Sequence, residues 1–305
     1  ATEVLRLLSP AENKIQWILG GFYFRNIAEY DPLALQGLAA APFSELDIYG
    51  RQKSKSIAGF AQATVEVFAD THLTGGIRYT KDDRNIVGHN EGQLGGAVIP
   101  LGPVFTQSVS NSEWTYRVAL DHQFTPDLLG YVSFNRGFKS CVYNLLSFSK
   151  PPVDPELLNA YEAGLKTELF DRRLRINMAG FHYDYTNIQV QEIISGATFS
   201  LNAAKATING FDLDFTAAAS RNLTISGGFS ILDGHYDVFP NGPVNLPTPA
   251  VCTPTPHTTG APTGGNTVCS ADLSGNDTVR TPKFSGNISA DYVAPTQHGD
   301  LDFAL

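Results

Sequence analysis

Glu113-Trp-Thr-Tyr-Arg-Val-Ala-Leu-Asp-His-Gln-Phe124 decides the fold. Trp114, Tyr116, Val118, Leu120, His122 and Phe124 take alternate positions, with Glu113, Thr115, Arg117, Ala119, Asp121 and Gln123 between them. Side chains on an extended backbone point to opposite faces with period two, so one face of this segment is apolar and the other largely polar. The pattern returns at Ala160–Leu169, where Tyr161, Ala163, Leu165, Thr167 and Leu169 oppose Ala160, Glu162, Gly164, Lys166 and Glu168. Phe211, Leu213 and Phe215 alternate with Asp212 and Asp214. Phe284, Ile288 and Tyr292 share a face opposite Lys283, Ser285, Asn287 and Asp291. Helical periodicity is scarce from end to end. The chain is expected to be all-β.

A soluble sandwich alternates as well. Two further features separate the cases. The alternating runs are long, on the order of 10 or more residues, against ~5–6 in soluble sheets and the ~9–11 that cross a bilayer at a tilt. The connections also alternate in length. Short turns are expected near Ser9–Glu12, Asp70–His72, Thr125–Asp127, Asp171–Arg172, Ser220–Asn222 and Pro295–Gly299. Between them lie long polar loops near 25–55, 85–112, 140–155 and 237–281, and a shorter connection near 195–199. Short turns on one side and long loops on the other are the outer-membrane arrangement. The expectation is a transmembrane antiparallel meander of about twelve strands, part of a β-barrel. In one run Leu174, Ile176 and Met178 share a face while Phe181, Tyr183 and Tyr185 have the opposite parity. A bulge at Ala179–Gly180 would reconcile them, and so would a strand whose upper part stands above the membrane.

Composition fits this reading. The 305 residues carry 21 Lys+Arg against 30 Asp+Glu, a net charge of −9, which argues against a general nucleic-acid binder. No stretch approaches the ~18 apolar residues of a membrane-spanning helix. The mean hydropathy of −0.11 is what bilayer-facing residues diluted by lumen-facing polar ones produce. The chain opens at Ala1 without a signal-peptide pattern and stops at Leu305 in a strand just begun, so it is expected to be a segment of a longer protein.

Several segments together resemble the TonB-dependent outer-membrane receptors, in the later part of their barrel. They are Gly75-Gly-Ile-Arg-Tyr-Thr-Lys-Asp-Asp-Arg84 and Tyr131-Val-Ser-Phe-Asn-Arg-Gly-Phe-Lys-Ser140. The next is the run from Asp154-Pro-Glu through Tyr161-Glu-Ala-Gly-Leu-Lys166 to Phe181-His-Tyr-Asp-Tyr185 and Gln189-Val-Gln. The last is Asn202-Ala-Ala-Lys-Ala-Thr-Ile-Asn-Gly-Phe211. Cys141 departs from the pattern, since a small residue, commonly Gly, usually follows Gly-Phe-Lys-Ser. The resemblance implies a barrel of about 22 strands plugged by a separate N-terminal domain. Residues 1–305 would be part of that single barrel domain, with the plug and the last strands outside them. It also implies energised uptake of a scarce nutrient, most often a ferric siderophore or other iron complex, in the outer membrane of a Gram-negative bacterium. The implied partners are the TonB complex, acting through the plug, the small-molecule ligand and outer-membrane lipids.

Lumen-facing charges are the first candidates for a ligand path: Arg117, Asp121, Arg136, Lys139, Glu162, Lys166, Asp212 and Asp214. In a wet lumen such residues also pair across strands, and that structural role competes with direct contact. Trp17, Tyr79, Trp114, Tyr116, Tyr161 and Tyr292 are candidates for the aromatic girdles, where amphipathic rings meet the headgroups. Cys252 and Cys269 lie in one Pro/Gly-rich loop, and a disulfide there would contribute roughly 3 kcal/mol. No His/Cys spacing fits a metal site, and no nucleophile elbow, HExxH or phosphate-cradling loop is present, so neither cofactor nor catalysis is expected. A passive outer-membrane pore is the alternative reading, and a barrel-embedded hydrolase a more remote one.

Overall fold

The computed structural model describes residues 1–37, 40–144, 151–194, 197–203, 205–247, 266–297 and 299–305. Among them there is no α-helix. The strands are β1 (Thr2–Leu8), β2 (Ile15–Gln36), β3 (Glu45–Phe68), β4 (Thr71–Leu94), β5 (Ala97–Pro100), β6 (Phe105–Thr125), β7 (Leu128–Lys139), β8 (Glu156–Leu169) and β9 (Leu174–Thr186). They continue as β10 (Gln189–Ile194), β11 (Ala197–Asn202), β12 (Lys205–Ala218), β13 (Leu223–Val238), β14 (Gly242–Pro247), β15 (Asn266–Ala271), β16 (Phe284–Thr296) and β17 (Gly299–Ala304).

One antiparallel meander dominates, in the order β1-β2-β3-β4-β6-β7-β8-β9-β12-β13-β16-β17, with β5 attached to β4. The remaining strands form two hairpins, β10–β11 and β14–β15, both at the same end of the sheet. At the opposite end consecutive strands turn back within a few residues, as at Phe68–Thr71 and Thr125–Leu128. Asp70 makes the first of these turns possible by adopting φ 57°, a left-handed conformation that Asp tolerates better than most side chains.

The connections differ from the sequence expectation in two respects. Much of the polar sequence near 25–55 and 85–112 is strand rather than loop: β2, β3 and β4 run 22, 24 and 24 residues. A strand needs only ~9–11 residues to cross a bilayer, so these hairpins continue well beyond it. Above the membrane both faces of a strand are wet, the apolar alternation stops, and sequence polarity no longer tells ladder from loop. Likewise, residues 197–199 of the connection expected near 195–199 belong to β11, which pairs with β10 and with no strand of the main sheet.

Apolar residues crowd one face of the meander and are exposed there. Trp114 is 54% exposed, Val132 52% and Ile288 73%, all of one parity through the register β6–β7–β8–β9–β12–β13–β16. An apolar surface of this extent marks an interaction with something other than water. We call this face outward and the other inward. The buried apolar clusters are small and lie at the hairpin end. One gathers Val190, Ala203, Ala206, Tyr236 and Phe239, and the other Ile48, Ile86 and Tyr143. Burial pushes the Tyr143 phenol up from its ordinary value, with the neighbouring Cys141 adding to the shift.

The parity conflict in β9 is resolved without a bulge. β9 keeps an unbroken register with both β8 and β12, so Phe181, Tyr183 and Tyr185 face inward while His182 and Asp184 face outward. Phe181 and Tyr183 stack with ring centroids 4.5 Å apart. The Phe181 ring lies over Gly210 on the neighbouring strand, where an added Cβ would collide with it.

Candidate functional site

The inward face of β4 to β13 divides into two levels. Near the short turns it is polar and already paired. Tyr131 Oη donates to Glu162 Oε1 at 2.7 Å, and Lys166 Nζ lies 5.7 Å from the centre of the Tyr131 ring. His72 Nδ1 stands 3.2 Å from Asp121 Oδ2. Asn177 Nδ2 donates to Asp214 Oδ1 at 2.9 Å, and the Ser230 hydroxyl donates to Asp212. Four expected ligand-path carboxylates, Asp121, Glu162, Asp212 and Asp214, thus have wall partners. Arg117 lies on the same face beside Asn135, lining a hollow of about 280 Å³ with Arg78, Phe60 and Gln62. Arg78 was not picked out by sequence reasoning as a lumen charge. Its guanidinium lies 4.9 Å from the Phe22 ring centre and 5.7 Å from that of Phe60.

Arg136 does not belong to this face. The register sets it opposite Tyr116 and Asn159, on the outward side, where its Nη1 donates to Asn159 Oδ1 at 3.3 Å. Lys139, named with it as a lumen-facing candidate, is three positions along the strand, and an odd separation reverses the facing.

Toward the hairpin end the inward face turns aromatic and opens into a cleft of about 940 Å³. Lys139, Glu156, Tyr185, Gln189, Tyr236 and Arg280 line it. Gln189 anchors the rim: its backbone N–H donates to Glu156 Oε2 at 2.7 Å, and its side-chain amide donates to the carbonyls of Ser140 and Asp154. Lys139 and Arg280 make no ion pair among the described residues, which leaves two cations at the mouth of an aromatic cavity. Arg280 was missed because it sits in a connection without periodicity, where nothing in the sequence shows which way it projects. No group of three metal-binding side chains occurs among the described residues. A second, apolar groove of about 600 Å³ lies on the outward face over Gly130, Ala163 and Gly180, and so faces away from the lumen.

The girdle candidates fall on the outward face at its two margins. Trp17 and Tyr292 lie near the short turns, while Tyr79 and Trp114 pack at 4.8 Å toward the hairpin end, with Tyr116 one rung below. Tyr161 faces outward beside Phe134, at 4.8 Å. Trp114→Ala is expected to lower the stability of the inserted barrel by about 1–2 kcal/mol while ligand affinity is unchanged, as urea unfolding in lipid vesicles and a ligand titration would show. Loss of ligand binding in a correctly inserted variant would contradict the girdle placement. Cys269 is disulfide-bonded, whereas Cys252 lies outside the described residues; Cys141 is free and buried.

Residues 6–304 match the family described as "TonB dependent receptor-like, beta-barrel". The chain belongs to that family. Among solved structures it resembles the ferric yersiniabactin uptake receptor FyuA from Yersinia pestis, with a TM-score of 0.74 and 17% identity over 99% of this chain and 40% of that one. It also resembles the siderophore receptor PiuA from Acinetobacter baumannii, with a TM-score of 0.65 and 16% identity over 95% of this chain and 43% of that one. At these identities the likeness is one of fold. By sequence, the metal-pseudopaline receptor CntO of Pseudomonas aeruginosa is 29% identical over 119 residues, 39% of this chain and 16% of that protein. The chain therefore spans about two-fifths of the length of these two solved receptors. The meander with short turns at one end and extended hairpins at the other is the barrel wall of this family.

Proposed function

We propose that this barrel wall belongs to an outer-membrane receptor of a Gram-negative bacterium that takes up a ferric siderophore or a related iron complex, with energy supplied through TonB. The single observation that carries the ligand class is the mouth cleft. It sets two unpaired cations, Lys139 and Arg280, over an aromatic inner wall of Tyr185 and Tyr236. A chelated ferric ion in an organic ligand offers the matching chemistry, apolar or ring surfaces carrying net negative charge. The relatives' own ligands, ferric yersiniabactin and metal-pseudopaline, support a metal chelate as the class. The paired carboxylates lower in the lumen, Asp121, Glu162, Asp212 and Asp214, would serve the wall, with Arg117 and Lys166 as further cations along the path. TonB would act through a plug domain outside these 305 residues.

The test is growth on defined iron sources by a strain lacking the full-length gene, complemented with the wild type or with Lys139→Gln/Arg280→Gln. Deletion is expected to abolish growth on one ferric complex. The double variant is expected to raise the Kd for that complex by roughly tenfold or more, since hydrogen bonds to a charged group contribute ~1.5–3 kcal/mol each. Growth of the deletion strain on every iron complex at the wild-type rate would overturn the proposal.

A further inference from the structure

The outward face of β2, β3 and β4 changes character abruptly. From the short turns upward its rungs read Ile15–Val65–Leu73, Trp17–Ala63–Gly75, Leu19–Ala61–Ile77 and Gly21–Gly59–Tyr79, with no charge. The next rungs are Tyr23–Ile57–Lys81, Arg25–Lys55–Asp83, Ile27–Lys53–Asn85 and Glu29–Arg51–Val87. Five cations thus gather on three adjacent strands immediately above the Tyr79–Trp114 pair, in a chain whose net charge is −9. Arg25, Lys53 and Lys81 are exposed and Lys55 is half-buried.

Their anions do not neutralise them. Arg51 reaches Glu29 at 3.9 Å, with both side chains more than half exposed, and an ion pair so placed is worth little. Asp83 is set opposite Lys55 and Glu3 opposite Tyr23, yet no ion pair forms at either place. Arg25, Lys53, Lys55 and Lys81 have no ion-pair partner among the described residues. Arg25 stands directly opposite Lys55, a like-charge placement that destabilises a strand pair unless an anion lies between. The other side of the same face is less cationic. There the rungs above the apolar band on β8, β9, β12 and β13 are Tyr161–His182–Asn209–Asp233 and Asn159–Asp184–Thr207–His235, with Arg136 on β7 and Lys205 one rung higher as the permanent cations beside Asp184 and Asp233.

We infer that the outward face of β2–β4 above the aromatic girdle binds the phosphate groups of the glycolipid of the outer leaflet, lipopolysaccharide. The inference rests on the outer-membrane reading, which puts the hairpin end outside and these rungs at headgroup level. The cationic patch is continuous with the apolar band below it. One molecule can therefore lay acyl chains on Leu19, Ile77 and Tyr79 and direct its phosphates to Lys81, Lys55, Arg25 and Lys53. The long aliphatic stems of lysine and arginine suit that margin, lying along apolar surface with their charged ends in the headgroup layer.

The full-length receptor, purified from outer membranes in non-ionic detergent, provides the test by native mass spectrometry. Lipid A carrying both phosphates is the probe, with dephosphorylated lipid A and excess inorganic phosphate as the other arms. Wild type is expected to retain the phosphorylated lipid, and Arg25→Gln/Lys53→Gln/Lys55→Gln/Lys81→Gln to retain at least about tenfold less. Lys53→Arg/Lys55→Arg/Lys81→Arg, which keeps the charge, is expected to retain it as wild type does. Equal retention by the glutamine variant and wild type overturns the inference. Equal binding of dephosphorylated lipid A overturns it too, as does complete displacement by inorganic phosphate, which would make the patch a general anion site. Ferric-complex uptake is measured on the same strains. Wild type that reaches the outer membrane without any uptake counts against the iron-uptake reading alone, whereas wild type absent from the outer membrane removes the ground of both.

Discussion

Val132→Arg in the full-length receptor is expected to destabilise the inserted barrel by about 2–4 kcal/mol, the cost of a cation on the lipid face near the bilayer midplane. Val132 is on the outward face, 52% exposed, between Leu120 on β6 and Ala163 on β8. Nothing near it can accept a guanidinium: Leu120, Ala163, Gly180 and Phe211 form the same rung. Ser133→Arg, one residue on, is the paired comparison. Ser133 faces inward, opposite Glu162, so an arginine there meets water and a carboxylate, and stability is expected to stay within about 1 kcal/mol of wild type. Urea unfolding of both variants in phospholipid vesicles gives the comparison. Equal penalties, or a larger one at Ser133, would mean that the two faces have been assigned the wrong way round.

Gly164→Val is the second substitution with a large expected effect. Gly164 faces inward on β8, where a Cβ would lie 2.6 Å from the Tyr131 ring and 2.7 Å from the backbone carbonyl oxygen of Met178. The ring cannot swing away cheaply, because its hydroxyl is bonded to Glu162, and the carbonyl belongs to the neighbouring strand. Overpacking of this kind costs ~1–3 kcal/mol, and the branched side chain should bring Gly164→Val to the upper end. The yield of folded barrel, read as resistance of the band to unfolding by heat in detergent, is expected to fall sharply. Gly180→Ala serves as the control, since a Cβ there meets only the Gly210 carbonyl, at 3.9 Å. If Gly164→Val folds as wild type does while Gly180→Ala fails, the packing of β8 against β9 is not as described.

These two experiments rest on different kinds of information. The facing of Val132 and Ser133 follows from alternation in one strand and is legible in the sequence. The need for glycine at 164 is not, because it arises from Tyr131 on one neighbouring strand and Met178 on the other. The candidate site divides in the same way. Arg117, Glu162, Lys166, Asp212 and Asp214 lie on the polar faces of strongly alternating runs, and the structure places them on the inward face. Arg136 lies close to the end of its run, where alternation weakens, and the register with Tyr116 puts it outward. Phe181, Tyr183 and Tyr185 have the apolar character of lipid-facing residues and the parity of lumen-facing ones. Only the pairing of β9 with both its neighbours decides for the lumen.

The all-β class, the meander with short turns at one end, the membrane-facing stripe and the family resemblance are all legible along the chain. Each depends on residues close in the chain: a period of two is a property of one strand, and a turn is a property of a few residues. Whatever depends on lateral register emerged with the folded sheet. It showed that the polar stretches beyond the membrane continue as strands, gathered Lys139 and Arg280 at one cleft, and showed the lower carboxylates to be paired within the wall. It also placed Arg25, Lys53, Lys55 and Lys81 together on one outward patch. Hydrogen bonding between strands sets which residues share a rung, and shifting a strand by one residue reverses its facing, so no count along a single strand can supply that alignment.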